Sequence, residues 1–396
     1  MEENLLEAAG PPTTTRPGMA EQALLTSPFH APGSSQRVVR GGDTRRSNRA
    51  LVLQCIYDQP DLSRAEVARR TGLTRAGISA IVADLVADGL VEETGRTATQ
   101  IGKPATMLTV SEAQDIIALD LSAPDVLVGT VHSIRGLRVT SLSLPLNGET
   151  GGDAVDLICQ LIDRLIDDCR HRVLGIGVGS PGTIDAHGMV LTSRSFGWDH
   201  LPLQYILAEH TGLPVAVIND ANAAAVAEQA FAGGPGDMLR VQIALGVGAG
   251  LLLGGQVLVG KSAAAGEIGH LVVEYQGQKC TCGKRGCLET WASVPALARR
   301  VAADPTHRDA ILTEGGRRLG MALVPAVAML DIDDVVLGGP SNLINGAFAR
   351  AAQDLINERV RSEFRDPVRL RPSTLGDEAT MLGAVAMVLR TTLGVW

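Results

Sequence analysis

The sequence predicts an α/β protein in two parts: an N-terminal winged helix-turn-helix and a larger domain of two similar lobes. Three observations predict it. Residues 63–104 read as a short helix, a glycine turn, a longer helix and two strands around a polar loop. Residues 116–393 read, twice over, as strand hairpins followed by alternating helices and strands. The second of these lobes carries an insertion dense in cysteine and glycine at residues 266–289.

Composition bounds what these parts do. A chain of 396 residues can hold two or three domains with substantial cores. Its net charge of −8 excludes a molecule that is basic throughout. That average hides a basic module, because residues 36–104 carry eleven Lys and Arg against eight Asp and Glu. Cysteine usage fits a reducing compartment: Cys280, Cys282 and Cys287 cluster, while Cys55, Cys159 and Cys169 sit in apolar helical patterns. The first residues, MEENLLEAAGPP, are acidic where a secretory signal is basic, so no targeting segment and a cytoplasmic location are expected. Residues 1–43 are rich in Pro, Thr, Ser, Gly and Ala without apolar periodicity, the composition of a disordered tail.

From residue 44 to 110 the pattern is that of a DNA-binding domain. Leu51, Val52, Ile56 and Tyr57 recur at helical spacing. Ser63 followed by Glu66 is a capping box, which starts a short helix ending near Thr71. Gly72 makes the turn, and a second helix over about residues 74–88 puts Ile78, Ile81, Val82, Leu85 and Val86 on one face. Gly89, Leu90 and Val91 then lead into two strands around a wing at residues 95–104. Thr74, Arg75 and Ser79 lie at the start of the second helix, where such a helix meets base edges. Arg64, Arg69, Arg70, Arg96 and Lys103 are candidates for phosphates or, for the last two, the minor groove. The competing reading is a small protein-binding module whose arginines are solvated.

Residues 111–396 form the second domain, with lobes at about 111–235 and 236–396. In the first lobe, strands are expected at residues 116–121, 126–132 and 137–144, a periodic helix from 154 to 166, a strand at 173–179 and another at 215–218 running into a helix at 222–231. In the second, strands at 239–245, 251–253 and 256–259 precede the cysteine insertion. Helices follow at 294–303, 309–329, 343–364 and 379–393, with strands at 334–337 and 368–371. Residues 241–260 are uncharged over a bilayer length, but the glycines and the Gly254 and Gly255 pair read as a hairpin rather than a span.

The insertion, GEIGHLVVEYQGQKCTCGKRGCLE, offers His270, Cys280, Cys282 and Cys287. Three thiols and an imidazole fit a closed tetrahedral zinc set, a structural site with no open position. The alternative is three reduced cysteines in a glycine-rich turn beside a satisfied histidine. Glu267 precedes His270 by three residues and Glu289 follows Cys287 by two, so a loop closed on a metal carries both carboxylates into one neighbourhood.

The whole string resembles the second signature of the ROK family, which groups sugar kinases and sugar-responsive repressors, and the resemblance extends over about residues 45–390. It implies an actin-like, sugar kinase-like fold with its cleft between the lobes. It implies that Gly182, Asn219, Asp220, Glu267, His270 and Glu289 match the family's sugar-contacting positions, His270 serving metal and sugar together. In the kinases the aspartate matching Asp220 takes the proton from the attacking sugar hydroxyl. The sequence also departs from the family. Ser195 replaces a usual asparagine, and Lys103 replaces the arginine of the wing, keeping charge without the bidentate fork. The first phosphate loop, Asp-x-Gly-x-Thr in the kinases, runs Asp120, Leu121, Ser122, Ala123, Pro124, Asp125 here, with no glycine. The second, Gly-Thr-Gly in the kinases, is Gly246, Val247, Gly248. Both changes disfavour ATP. The combination predicts a non-enzymatic regulator that binds operator DNA and a sugar, acts as a homodimer or larger homo-oligomer and contains structural zinc. The runner-up is a sugar kinase fused to a DNA-binding domain, and a third reading makes the second domain a docking module for a partner protein.

Overall fold

The computed structural model describes residues 41–97 and 105–396. Helix α1 (Gly41–Asp58) leads through β1 (Leu62–Ser63) into α2 (Arg64–Thr71) and α3 (Arg75–Ala87), and β2 (Val91–Thr97) pairs with β3 (Ala105–Val110). The capping box forms: Ser63 Oγ accepts from the Glu66 amide at 3.3 Å, and Glu66 Oε2 accepts from the Ser63 amide at 2.9 Å. Gly72 closes α2 at φ 72°, a left-handed turn that glycine adopts without strain. In α3 Ile78, Val82 and Leu85 are buried, but Val86, expected on the same face, is 37% exposed. The buried stripe is narrower than the apolar one. The wing strands run longer than expected, pairing Arg96 with Thr106 and Thr97 with Ala105, with a bulge at Gly95. The wing tip, residues 98–104 with Lys103, lies outside the described residues.

The first lobe follows. Strands β4 (Gln114–Asp120), β5 (Val126–Ser133) and β6 (Arg138–Pro145) form a meander, and α4 (Gly151–Asp168) crosses to β7 (Arg172–Ser180). A small sheet, β8 (Thr183–Ile184), β9 (Val190–Ser193) and β10 (Trp198–Leu201), and α5 (Leu203–Thr211) precede β11 (Val215–Asn219) and α6 (Asp220–Ala232). The main sheet has the order β11-β7-β4-β5-β6, with β4, β7 and β11 parallel. Strands β8 to β10 have no counterpart among the expected elements, because runs of two to four residues carry no readable period.

The second lobe repeats the plan with β12 (Met238–Ile243), β13 (Val247–Leu253) and β14 (Gln256–Val257), then α7 (Glu289–Ala292), α8 (Val294–Ala303) and α9 (Arg308–Leu330). It continues with β15 (Asp334–Gly338), α10 (Ser341–Ile344), α11 (Ala347–Val360), β16 (Arg369–Pro372) and α12 (Ala379–Leu393), giving a sheet of order β14-β13-β12-β15-β16. The helix expected over 343–364 is two helices, broken at Asn345 and Gly346, where Gly346 has φ 67°. The uncharged stretch 241–260 lies in the β12–β13–β14 hairpins, turning at Gly254 and Gly255 with φ 57° and 72°. No described helix is long and apolar enough to cross a membrane.

Helices α6 and α12 join these parts. One apolar cluster holds Ala216 and Ile218 of the first lobe, Ala223 and Val226 of α6, and Leu252 and Val336 of the second lobe. Another runs from Val52, Leu53 and Ile56 of α1 into Val385, Val388 and Leu389 of α12, so the winged helix shares a core with the larger domain. The two helices cross in backbone contact: a Cβ on Gly383 would stand 1.8 Å from the Ala223 carbonyl oxygen. Gly383→Ala is therefore expected to lower stability by about 3 kcal/mol, since neither backbone can yield alone, and denaturant unfolding of the purified variant checks this.

Candidate functional site

The site forms where α6 begins. Asn219, not Asp220, caps α6, its Oδ1 accepting from the Asn222 amide at 3.0 Å. Its Nδ2 donates to Gly182 O and to Asp220 Oδ1, both at 3.0 Å, tying the loop after β7 to the helix. Gly182 stands at φ 111°, and a Cβ there would meet the Thr192 carbonyl oxygen at 2.2 Å, so only glycine fits. Asp220 is thus free of the capping duty that would explain it structurally. Its Oδ1 accepts the Ala221 amide at 2.8 Å. Burial pushes its carboxyl up to about 6 against the pull of that amide and of Arg240, and the nearby charges of Asp120 and Glu267 add to the rise. Asp120, at the end of β4, is itself raised by burial despite a hydrogen bond from the Ser122 amide at 2.9 Å.

The insertion supplies the second group of residues. Glu267 opens a short 3-10 turn, Ile268–His270. Gly266 before it has φ 94°, and a Cβ would fall 1.9 Å from Ala249 O, so the turn is pressed onto β13. His270 Nδ1 faces Cys280 Sγ at 3.7 Å, Cys282 and Cys287 Sγ lie 3.6 Å apart, and the four ligand atoms are within 4.8 Å of one another. A tetrahedron with metal–sulfur bonds of about 2.3 Å has edges of about 3.8 Å. The group can therefore hold a metal ion. Cys280 and Cys287 are buried, and desolvation with the neighbouring sulfurs pushes the Cys287 thiol up, the cost of crowding thiolates that a dication offsets. Cys280 Sγ also lies 3.9 Å from Glu289 Oε1, at the start of α7. The other Glu289 oxygen, Oε2, lies against Gly246, 2.8 Å from where a Cβ would stand. Gly182, Asn219, Asp220 and Glu267 thus gather at one end of α6, with His270 and Glu289 sharing the Cys280 neighbourhood. Ser195 is occupied with Ser193, their hydroxyls 3.3 Å apart.

Two supports of the site were invisible to motif reading. Arg240 of β12 is 1% exposed, 3.9 Å from the fully buried Glu228 of α6; Arg371 reaches the same carboxylate at 3.5 Å and Asp334 at 2.9 Å. Burial lowers Arg240 to about 10, still charged at neutral pH, and its field opposes the rise at Asp220. A lone arginine in the apolar run MLRVQI was the available signal. Trp291 stacks between Arg300 and Arg318, at 4.1 and 4.6 Å, and donates to Glu274 Oε2 at 2.8 Å, while Arg318 donates to Val273 O at 2.8 Å. This sandwich pins the insertion to α7 and α9.

On the winged helix, Thr74 caps α3, its Oγ1 accepting from the Gly77 amide at 3.2 Å. Ser79 Oγ donates back to Arg75 O at 3.0 Å. Thr74, Arg75 and Ser79 are exposed, and Arg75 has no ion pair among the described residues. Arg64, by contrast, is paired with Glu93 of β2. Arg96 is placed by its backbone alone.

A MarR family model matches residues 44–99, and the ROK family model matches residues 147–391. A putative xylose repressor of Caldicellulosiruptor sp. (strain Rt8B.4) is 28% identical over 387 residues, covering 88% of this chain and 97% of its own length. A glucokinase of Halalkalibacterium halodurans is 30% identical over 287 residues, but covers 63% of this chain and 87% of its own length. Among solved structures, a ROK family transcriptional regulator described as a homolog of the E. coli MLC protein superposes with a TM-score of 0.79 at 24% identity, over 89% of this chain and 98% of that one. The chain belongs to the ROK family.

Proposed function

We infer that this protein is a DNA-binding transcriptional repressor of carbohydrate metabolism whose ROK domain binds a sugar or sugar derivative as effector. The observation that carries the reading is the joint presence of a winged helix sharing its core with α12 and a polar cluster of Asn219, Asp220 and Glu267, in a chain whose loops at 120–125 and 246–248 lack the glycine and the hydroxyl of the kinases. The end-to-end similarity to a putative xylose repressor supports it, as does the shorter span of the glucokinase match.

In this reading residues 44–110 bind operator DNA and residues 111–396 bind the sugar. Asp220, Glu267 and Glu289 accept hydrogen bonds from sugar hydroxyls, Asn219 offers its amide, and Gly182 contributes backbone. His270, Cys280, Cys282 and Cys287 hold a structural zinc, which supplies a rigid anchor for the loop. With Nδ1 turned to Cys280, the other ring nitrogen of His270 is left for the sugar. Two copies of the chain act as a dimer in the cytoplasm, and sugar binding changes the spacing of their winged helices so that both no longer fit half-sites about one helical turn apart.

Thr74, Arg75 and Ser79 read bases, while Arg64, held by Glu93, contributes to the phosphate field together with Arg96 and Lys103. Arg75→Ala is expected to lower affinity for the specific operator roughly tenfold or more and to leave non-specific duplex nearly unchanged, as fluorescence anisotropy on both DNAs would read. Calorimetry of the full chain with D-xylose, D-glucose and N-acetylglucosamine tests the pocket. One observation favours the kinase reading: Asp220, raised to about 6, has the poise of a general base. Sugar-dependent ADP formation abolished by Asp220→Asn would establish that alternative and overturn the non-enzymatic reading.

A further inference from the structure

Helix α6 has different neighbours at its two ends. Asn219 and Asp220 open it at the pocket, whereas Phe231 in its last turn lies beside the Trp396 ring, with centroids 5.2 Å apart. At ~1.5 Å per residue the two ends are about 16 Å apart. Trp396 faces the winged helix on its other side. Its ring meets Tyr57 of α1 edge-on at 4.5 Å, and its amide donates to Gln54 Oε1 at 2.6 Å. Arg390 of α12 donates to Trp396 O at 3.1 Å and to Gly255 O of the second lobe at 2.8 Å. Tyr57 in turn donates its hydroxyl to Ile134 O at 3.1 Å. The indole therefore touches α6 and the first helix of the DNA-binding domain, and the main chain of the same residue is held by an arginine bonded to the second lobe.

We propose that Trp396 is a positioning residue that sets the placement of α1 against α6, and that sugar occupancy at Asn219 and Asp220 is read out at the DNA through it. The read-out half rests on the sugar-pocket reading above; the positioning half does not. Helix α6 is poorly able to absorb a displacement by deforming. Its first turn is pressed on Gly250 of β13, where a Cβ would meet Ala221 O at 2.5 Å, and its second on Gly383 of α12. A shift of its first turn is passed on as a tilt of the whole helix, which moves Phe231 against the indole. Helix α12 also reaches both sides, but its contact with α6 is a backbone crossing that loss of the indole leaves in place. Coupling further requires that the sugar-bound and sugar-free forms differ in energy at this contact, and an aromatic pair between separate elements is sensitive to such a displacement.

Hydrogen exchange by mass spectrometry on the full chain tests both halves, using wild type, Trp396→Ala, Trp396→Phe and Phe231→Leu. Without sugar, Trp396→Ala and Phe231→Leu are expected to speed exchange in residues 41–58 roughly tenfold, with residues 308–360 unchanged as the control for folding and Trp396→Phe restoring most of the protection. Wild-type exchange at residues 41–58 in Trp396→Ala overturns the positioning role. With D-xylose, D-glucose or N-acetylglucosamine, a sugar that protects residues 215–232 in both proteins should alter residues 41–58 in wild type and not in Trp396→Ala. A response of equal size in both overturns the read-out role. Protection of residues 215–232 by none of the three contradicts the pocket reading and removes the read-out half with it, while the sugar-free comparison still decides the positioning half.

Discussion

Asp220→Asn is expected to weaken sugar binding by roughly 100-fold while leaving the protein folded and, above pH 6, more stable than wild type. The fold survives because an asparagine oxygen can still accept the Ala221 amide and the Asn219 amide that Asp220 Oδ1 accepts now. What is lost, in the proposed sugar site, is the charged acceptor for a hydroxyl. The stability gain follows from linkage. Asp220 has a folded value of about 6, above its unfolded value of about 4, so the folded state binds the proton more tightly. Its ionisation therefore costs stability, a cost that is absent below about pH 4 and complete above about pH 6. Asparagine removes the cost, by ~1–3 kcal/mol at pH 8. A residue whose replacement stabilises the protein and weakens binding is kept for binding. Wild-type sugar affinity should fall as pH drops through 6, and the Asp220→Asn profile should be flat there. Calorimetry between pH 5 and 8, with thermal unfolding at the same values, reads all three effects. Equal sugar affinity in variant and wild type would remove Asp220 from the pocket.

Cys287→Ala is expected to abolish both metal content and sugar response while leaving DNA binding in place. Cys287 is fully buried between Cys282 and the backbone of His270, its Sγ 3.6 Å from the one sulfur and 3.7 Å from the His270 carbonyl oxygen. Removing it leaves three ligands, and structural zinc sites contribute on the order of 10 kcal/mol to local folding. If the four residues hold zinc as proposed, the loop that carries Glu267 and His270 onto β13 then loses its anchor, and sugar affinity should drop at least 100-fold. The core that the winged helix shares with α12 includes no residue of the cysteine insertion, so operator affinity should change less than about threefold. Elemental analysis of the purified chain should give about one zinc per chain for wild type and none for the variant. Zinc-free wild type that binds sugar normally would show that the four residues pack without a metal.

Elements were legible where one physical signal dominates. The Ser63 and Glu66 pair with Gly72 marked α2 to the residue, and the apolar periods of α8 and α12 gave their limits as well. Short strands β8 to β10 were not legible, since their pairing is decided by what they pack on. The break at Asn345 and Gly346 was missed because one glycine in an otherwise periodic run is also tolerated inside helices. In the candidate site, spacing alone collected the cysteines and His270, because metal-ligand sets are local in sequence. That Asn219 caps α6 and leaves its neighbour Asp220 to other contacts could be read only from the backbone. Arg240, Trp291 and Trp396 act through partners that include distant ones, such as Glu228 for Arg240 and Gln54, 342 positions from Trp396, and no motif carries such pairs.

Sugar control of DNA binding is tested by equilibrium binding of the full chain to DNA from upstream of its own gene, with and without D-xylose, D-glucose and N-acetylglucosamine. Sequence-specific binding that one of these sugars or a close derivative weakens at least tenfold is expected, with the release lost in Asp220→Asn. Specific binding that stays unchanged at concentrations where calorimetry shows the sugar pocket filled would contradict it.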